Sequence, residues 1–189
     1  MKMDNHISNI VKTTEYDDVL NKLIKKSVLI KPDHKAMHIW HMLTGLNAQI
    51  GNVTEVVSLP LVMNEEDMEK TIIDLHKQKR EKVRDEIGKA FFYIIGLCMK
   101  DGLDCLDSIP LPSETTSSIK TQMINTYALE ALLDWIIKGK IPDERIMANF
   151  YDCVSCNLGE LARLSQEFGI SLEEIINNNK NNLKEIHNV

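Results

Sequence analysis

Between residues 41 and 57 the chain reads HMLTGLNAQIGNVTEVV. Its apolar residues Leu43, Leu46, Ile50 and Val53 recur at spacings of three, four and three. That period fixes a helix with one buried face and excludes a strand, whose faces alternate every second residue. The polar side of the same helix carries Gln49, Asn52 and Glu55, each one turn from the next. Residues three apart share a face, so three side chains of carboxylate shape line up in one stripe, of which only Glu55 is a carboxylate.

The rest of the chain repeats the helical pattern. Residues 15–30 suit a helix with acids in the first turn and lysines later, as the helix dipole favours. Pro32 ends it, after a polar stretch over 1–14. Further helices are expected over 33–58, 65–100, 119–138, 143–168 and 172–186, with Gly169 as a C-cap and Ser171 with Glu174 as a capping box. No credible alternating strand is present, because Pro60 interrupts the β-branched run at 56–62. Eight Gly, five Pro and 5% aromatic residues agree with a helical chain. The expected fold class is therefore all-α, a helical bundle.

Residues 107–118, DSIPLPSETTSS, hold two Pro and six Ser or Thr and read as a linker. They separate a unit at 1–106 from a second, weaker unit at 119–189. Residues 81–106 and 148–172 each give a helix that ends in Gly followed by an apolar residue. Two degenerate helix-hairpin repeats packed together would bury both apolar stripes.

Charge and hydropathy remove several function classes. The formal charge is −6, and the basic run at 76–84 reads as a solvated helix end, so no nucleic-acid partner is expected. No apolar run reaches the ~18–20 residues of a membrane span. The first residues carry acids and no apolar signal core. The chain is read as cytoplasmic, without a membrane partner, and its cysteines as free thiols.

Taken in order, these residues resemble the MazG-like nucleoside triphosphate pyrophosphohydrolases in their small, phage-type form. His41, Gly45, Leu46, Gly51 and Glu55 fit the family's opening helix. Glu86, Ile87, Gly88 and Lys89, then Tyr93, then Gly102, Leu103 and Asp104, match the spacing of its second motif. Asn179 and Leu183 fall at the places of the closing helix. The match is good over 34–106 and weaker over 121–186. It implies an all-α bundle, a homodimer that the tandem repeat imitates, and a site where four acids on two helices hold Mg²⁺. That metal would neutralise a triphosphate and activate water to split off pyrophosphate.

The ligand positions depart from that pattern. Gln49, Asn52 and Lys89 stand where three acids are expected, leaving Glu86 with Glu55 nearby. Amides can offer a carbonyl oxygen but no charge, and an ammonium offers no acceptor at all. No metal cofactor is therefore expected, and Lys89 is placed to meet a phosphate directly. Glu86 and Lys89 read equally as an ordinary helix salt bridge. In the second unit, aligned on Gly102 and Gly169, the corresponding residues are Cys153 and Cys156.

Other clusters have plainer readings. His34, His38 and His41 share a face but lack a fourth zinc ligand. Cys153 and Cys156 read as small buried hydrophobes, Trp40 and Trp135 as core, and the methionines as core filler. The expected function is a catalytically impaired, MazG-like protein that binds a phosphorylated nucleotide or a protein partner. Its ligand contacts would be Gln49, Asn52, Lys89, His41 and Asn179. One alternative is an active Mg²⁺-dependent NTP or dNTP pyrophosphohydrolase that uses Glu86 and Glu55, with Asp85, Glu130 or Asp134 as further acids. The other is a helical adaptor without a ligand.

Overall fold

The computed structural model describes residues 7–26, 35–58, 68–98, 120–121, 123–130 and 144–189. All regular structure among them is helical, and no helix there is long and apolar enough to cross a membrane. The bundle contains α1 (Ile7–Thr13), α2 (Tyr16–Lys25), α3 (Lys35–Ser58), α4 (Met68–Cys98), α5 (Glu144–Glu167) and α6 (Leu172–His187). The described residues of 120–130 form a further helical segment before α5. The proposed linker at 107–118, together with His34, Gly102, Asp104, Asp134 and Trp135, lies outside the described residues.

The frame is the pairing of α3 with α4, and α6 lies against α4 and α2. The buried side of α3 is Ile39, Met42, Leu43, Leu46, Ile50 and Val53. On α4 it is Val83, Ile87, Phe91, Ile94, Ile95 and Cys98. Both sets follow the three-four spacing, so periodicity alone names most of the core between these helices. The remaining core comes from Tyr16, Val19, Leu20 and Leu23 of α2, Leu158, Leu161 and Leu164 of α5, and Ile175 and Ile176 of α6.

The N-terminal stretch differs from the polar extension expected for 1–14. Residues 7–13 are a helix, and Val11 is fully buried. A seven-residue helix is not stable alone, so packing has to hold it. Two contacts close its end: the Thr14 hydroxyl donates to the Ile10 carbonyl at 2.7 Å, and Lys180 on α6 donates to the Thr14 carbonyl at 2.6 Å. Trp40 also departs from expectation, being 38% exposed, since Ile39, Met42 and Leu43 take the core side of its helix. Met37 and Met123 are exposed as well, so not every methionine fills the core.

The turn into α6 follows the sequence closely. Gly169 adopts φ +60, where only glycine is unstrained, and the Ile170 amide donates back to the Ser165 carbonyl at 2.8 Å. Ser171 Oγ accepts from the Glu174 amide at 3.1 Å. The other half of the expected box is redirected across the bundle. Both carboxylate oxygens of Glu174 accept from Arg80 of α4 at 2.9 Å, and this pair holds the Glu174 carboxyl below its ordinary value. The basic run at 76–84 is thus partly a clamp between α4 and α6. Lys79 adds a bond to the Val57 carbonyl at 2.9 Å.

Candidate functional site on the seam of α3 and α4

Close approaches set the antiparallel register of α3 and α4. Gly45 lies against the ring of Tyr93, Met42 against Gly96, and Lys79 reaches the Val57 carbonyl. Counting from these contacts, Gln49 and Asn52 of α3 come level with Lys89 and Glu86 of α4. Gly45, Gln49 and Asn52 form one helical stripe, and Glu86, Lys89 and Tyr93 form another. The contact of Gly45 with Tyr93 turns the two stripes toward each other. Gly45 permits this: a Cβ there would fall within 2.5 Å of three Tyr93 ring carbons.

Each helix pairs its own polar residues. Asn52 Nδ2 donates to Gln49 Oε1 at 3.3 Å. Lys89 Nζ donates to Glu86 Oε1 at 2.6 Å. The Glu86 side chain is 16% exposed and Lys89 48%, so the carboxylate is anchored while the ammonium faces outward. Glu86 Oε2 and Asn47 Oδ1 are buried and receive no hydrogen bond. Buried acceptors are satisfied in most folds, so both are unusual. Glu55 is exposed one turn beyond Asn52.

To the other side lie three aromatic rings, with Tyr93 one turn from Lys89, Phe92 beside it, and His41 two turns from Gln49. His41 and Tyr93 meet edge to face with ring centroids 6.3 Å apart, and Phe92 meets Tyr93 likewise at 5.1 Å. Burial, and secondarily His38, holds the His41 imidazole below its ordinary value, so it is neutral at pH 7. Burial pushes the Tyr93 phenol up, so it keeps its proton. His38 itself is fully buried, with Nε2 2.7 Å from the Gly96 carbonyl. A carbonyl only accepts, so Nε2 carries the proton, and His38 reads as a tie between α3 and α4.

The structure therefore brings Gln49, Asn52, Glu86 and Lys89 to one level, with Glu55 at the edge, whereas His41 lies two turns from Gln49, against Tyr93. Asn179 is placed elsewhere. It is buried on α6 beside Gly88, on a side of α4 turned away from Lys89, and its Oδ1 accepts from the Tyr16 hydroxyl. Sequence reading did not anticipate Tyr16 as its partner, because the two are brought together only by the packing of α2 on α6. Asp85 also points away from the seam, bound to Arg84 and to Asn178 at 2.8 Å.

On α5 Cys153 is buried, and its thiol donates to Asn125 Oδ1 at 2.9 Å. Asn125 and Asn157 bond reciprocally through their amides at 3.1 and 2.6 Å. Burial pushes the Cys153 thiol up to about 12, and burial with Asp152 raises Cys156. Raised thiols are poor nucleophiles at neutral pH; Cys153 takes the buried packing role expected of it, whereas Cys156 is only partly buried. Among the described residues, no three His, Cys, Asp or Glu side chains gather as a metal site requires.

Compared with known proteins, the chain matches no family model, no curated protein and no solved structure.

Proposed function

We propose that the seam of α3 and α4 binds a phosphorylated nucleotide without a metal, as a degenerate site of the MazG-like pyrophosphohydrolase kind. The observation that carries this reading is the Lys89 ammonium, 2.6 Å from Glu86 and level with Gln49 and Asn52. In such sites Mg²⁺ requires several oxygen donors, most of them charged. Here the donor set is one carboxylate already engaged by an ammonium, and two neutral amides. At 4 Å and an effective dielectric of ~20, each lost carboxylate forfeits about 4 kcal/mol of attraction for a unit positive charge, and Lys89 repels the ion. The residues present do not fit Mg²⁺. They do suit an anion: the ammonium keeps two donors, and the amides of Gln49 and Asn52 supply more.

The test is a thermal-shift and calorimetric screen of nucleotides with Mg²⁺ and with chelator. Binding should survive chelation, weaken as salt rises, and fall at least tenfold in Lys89→Ala. Unchanged affinity in that variant would reduce Lys89 to an ordinary helix lysine. Negligible pyrophosphate release is expected from any common NTP or dNTP. The unpartnered Glu86 Oε2 is the one feature that favours the active alternative, and Mg²⁺-dependent turnover abolished by Glu86→Ala would establish it instead.

A second reading, a protein partner or a homodimer, draws on two apolar pairs. Met37 with Trp40, and Met123 with Tyr127, are each about one turn apart and exposed. Sedimentation of the wild type against a Trp40→Glu, Tyr127→Glu variant decides whether these faces hold copies together.

A further inference from the structure

We infer that the outward face of α3 is the two-fold interface of a homodimer, in which α3 of one copy lies antiparallel to α3 of a second about an axis at Thr44. This rests on the dimer reading above, to which it adds the face and the register, and it is independent of what the seam binds.

The face is unusual first for what it lacks. From Ala36 to Thr54 the helix carries no Asp, Glu, Lys or Arg, in a chain that is 26% charged. A stretch of that length ordinarily holds about five charged residues. A core-facing stripe needs none, but the solvent side of a surface helix is normally charged. Among the described residues α3 packs chiefly on α4, through Ile39, Met42, Leu46 and Val53. The opposite side, Met37, Trp40, Thr44 and Ala48, is exposed, Met37 by 47% and Trp40 by 38%. His41 beside it is neutral at pH 7. The whole chain bears a charge of −6, so two copies repel each other in general. Across a two-fold axis each group meets its own kind, and a face without charge removes that penalty where the copies touch.

The shape of the face fits the same partner. Met37 and Trp40 are large, Ala48 and Gly51 are small, and Thr44 stands midway. Trp40 is four residues before Thr44 and Ala48 four after; Met37 is seven before and Gly51 seven after. Residues four and seven apart share one helical stripe. In an antiparallel pair with its axis at Thr44, Trp40 of each copy therefore falls on Ala48 of the other, and Met37 on Gly51. Each bulky side chain meets a small one on both sides of the axis at once, the self-complementarity that a two-fold contact requires. Glu55, the first acid beyond the run, falls just past the start of the other copy's α3, where the helix dipole favours a carboxylate. The 24 residues of α3 span about 36 Å. One such helix pair buries less than the ~1,200 Å² of a standard interface, so the dimer is a weak one, with a dissociation constant of about 1–100 µM.

The experiment is sedimentation equilibrium on the full chain, from about 1 to 300 µM, which brackets that constant. The samples are the wild type, Thr44→Glu, Thr44→Lys, and an equimolar mixture of the two variants. Thr44 is exposed, so both changes spare the core, and circular dichroism checks that each variant keeps its helices. On the axis residue 44 meets its own copy. Each variant alone should therefore dimerise at least tenfold more weakly than the wild type, and the mixture should regain wild-type association to within about threefold. Trp40→Ala should also weaken the dimer at least tenfold, and Tyr127→Ala should leave it unchanged. A dimer unmoved by Thr44→Glu, or one that both charges break without recovery in the mixture, overturns the inference while leaving a dimer through another face. A dimer that Tyr127→Ala breaks and Trp40→Ala does not overturns it in the same way. A wild type that stays monomeric over the whole range removes the dimer reading itself, and this inference with it.

Discussion

Gly45→Ala is the sharpest probe of the register that builds the seam. In an exposed helix this change should stabilise by about 0.8–1 kcal/mol, because glycine loses more backbone entropy on folding. Here the new Cβ would lie within 2.5 Å of three Tyr93 ring carbons, whereas ordinary contact begins near 3.4 Å. The aromatic ring cannot flex internally, so the whole Tyr93 side chain must swing outward. It then forfeits its packing on α3, His41 and Phe92. Re-exposing about 100 Å² of ring at roughly 25 cal/mol per Å² costs about 2.5 kcal/mol. The net expectation is a loss of about 1–2 kcal/mol. In a Tyr93→Ala background the obstacle is gone, and the same Gly45→Ala change should stabilise by about 0.5–1 kcal/mol. Urea unfolding followed by far-ultraviolet circular dichroism measures both steps. A stabilising Gly45→Ala in the wild type, or the same sign in both backgrounds, would refute the close approach of α3 and α4 and with it the levelling of Gln49 and Asn52 with Lys89 and Glu86.

Three further outcomes follow from other contacts. Tyr16→Phe should cost about 1–3 kcal/mol, because it leaves the buried Asn179 Oδ1 without its donor; Asn179→Ala should then cost less in that background than in the wild type, and additive costs would count against the bond. Burial raises the folded pKa of Cys153, so its contribution is complete below the unfolded thiol value near ~8.5 and is lost as pH rises toward about 12, and burial also raises Tyr16, whose contribution begins to be lost only above the unfolded phenol value near ~10. Unfolding free energy should fall by up to about 1.4 kcal/mol per pH unit for each group, and Cys153→Ser should make the fall between ~8.5 and ~10 shallower, leaving the share of Cys156; an unchanged slope in that range would be the contrary result. The triple change Gln49→Glu, Asn52→Glu, Lys89→Asp gathers four carboxylates with Glu86. It should lower the melting temperature in chelator and regain it in Mg²⁺, and a melting temperature indifferent to Mg²⁺ would speak against the shared level of these residues.

What the sequence determined by itself is most of the described helices, the turn at 169–171 and most of the core between α3 and α4. Apolar spacing in α3 and α4, glycine at 169 and serine at 171 act within a few residues, and local interactions specify them whatever the rest of the chain does. The same short range explains why Glu86 and Lys89 could be recognised as a pair on one helix turn. Only the tertiary structure decided which residues from distant segments meet. It folded residues 7–13 into a helix, since Val11 gains a buried face there only once α2 and α6 are in place. It gave Glu174 to Arg80, and it took Asn179 away from the seam to meet Tyr16. Those pairings span tens to more than a hundred residues, and no local period encodes them. They are fixed by which stripe of each helix is driven from water, and by the few polar groups that must then find partners inside.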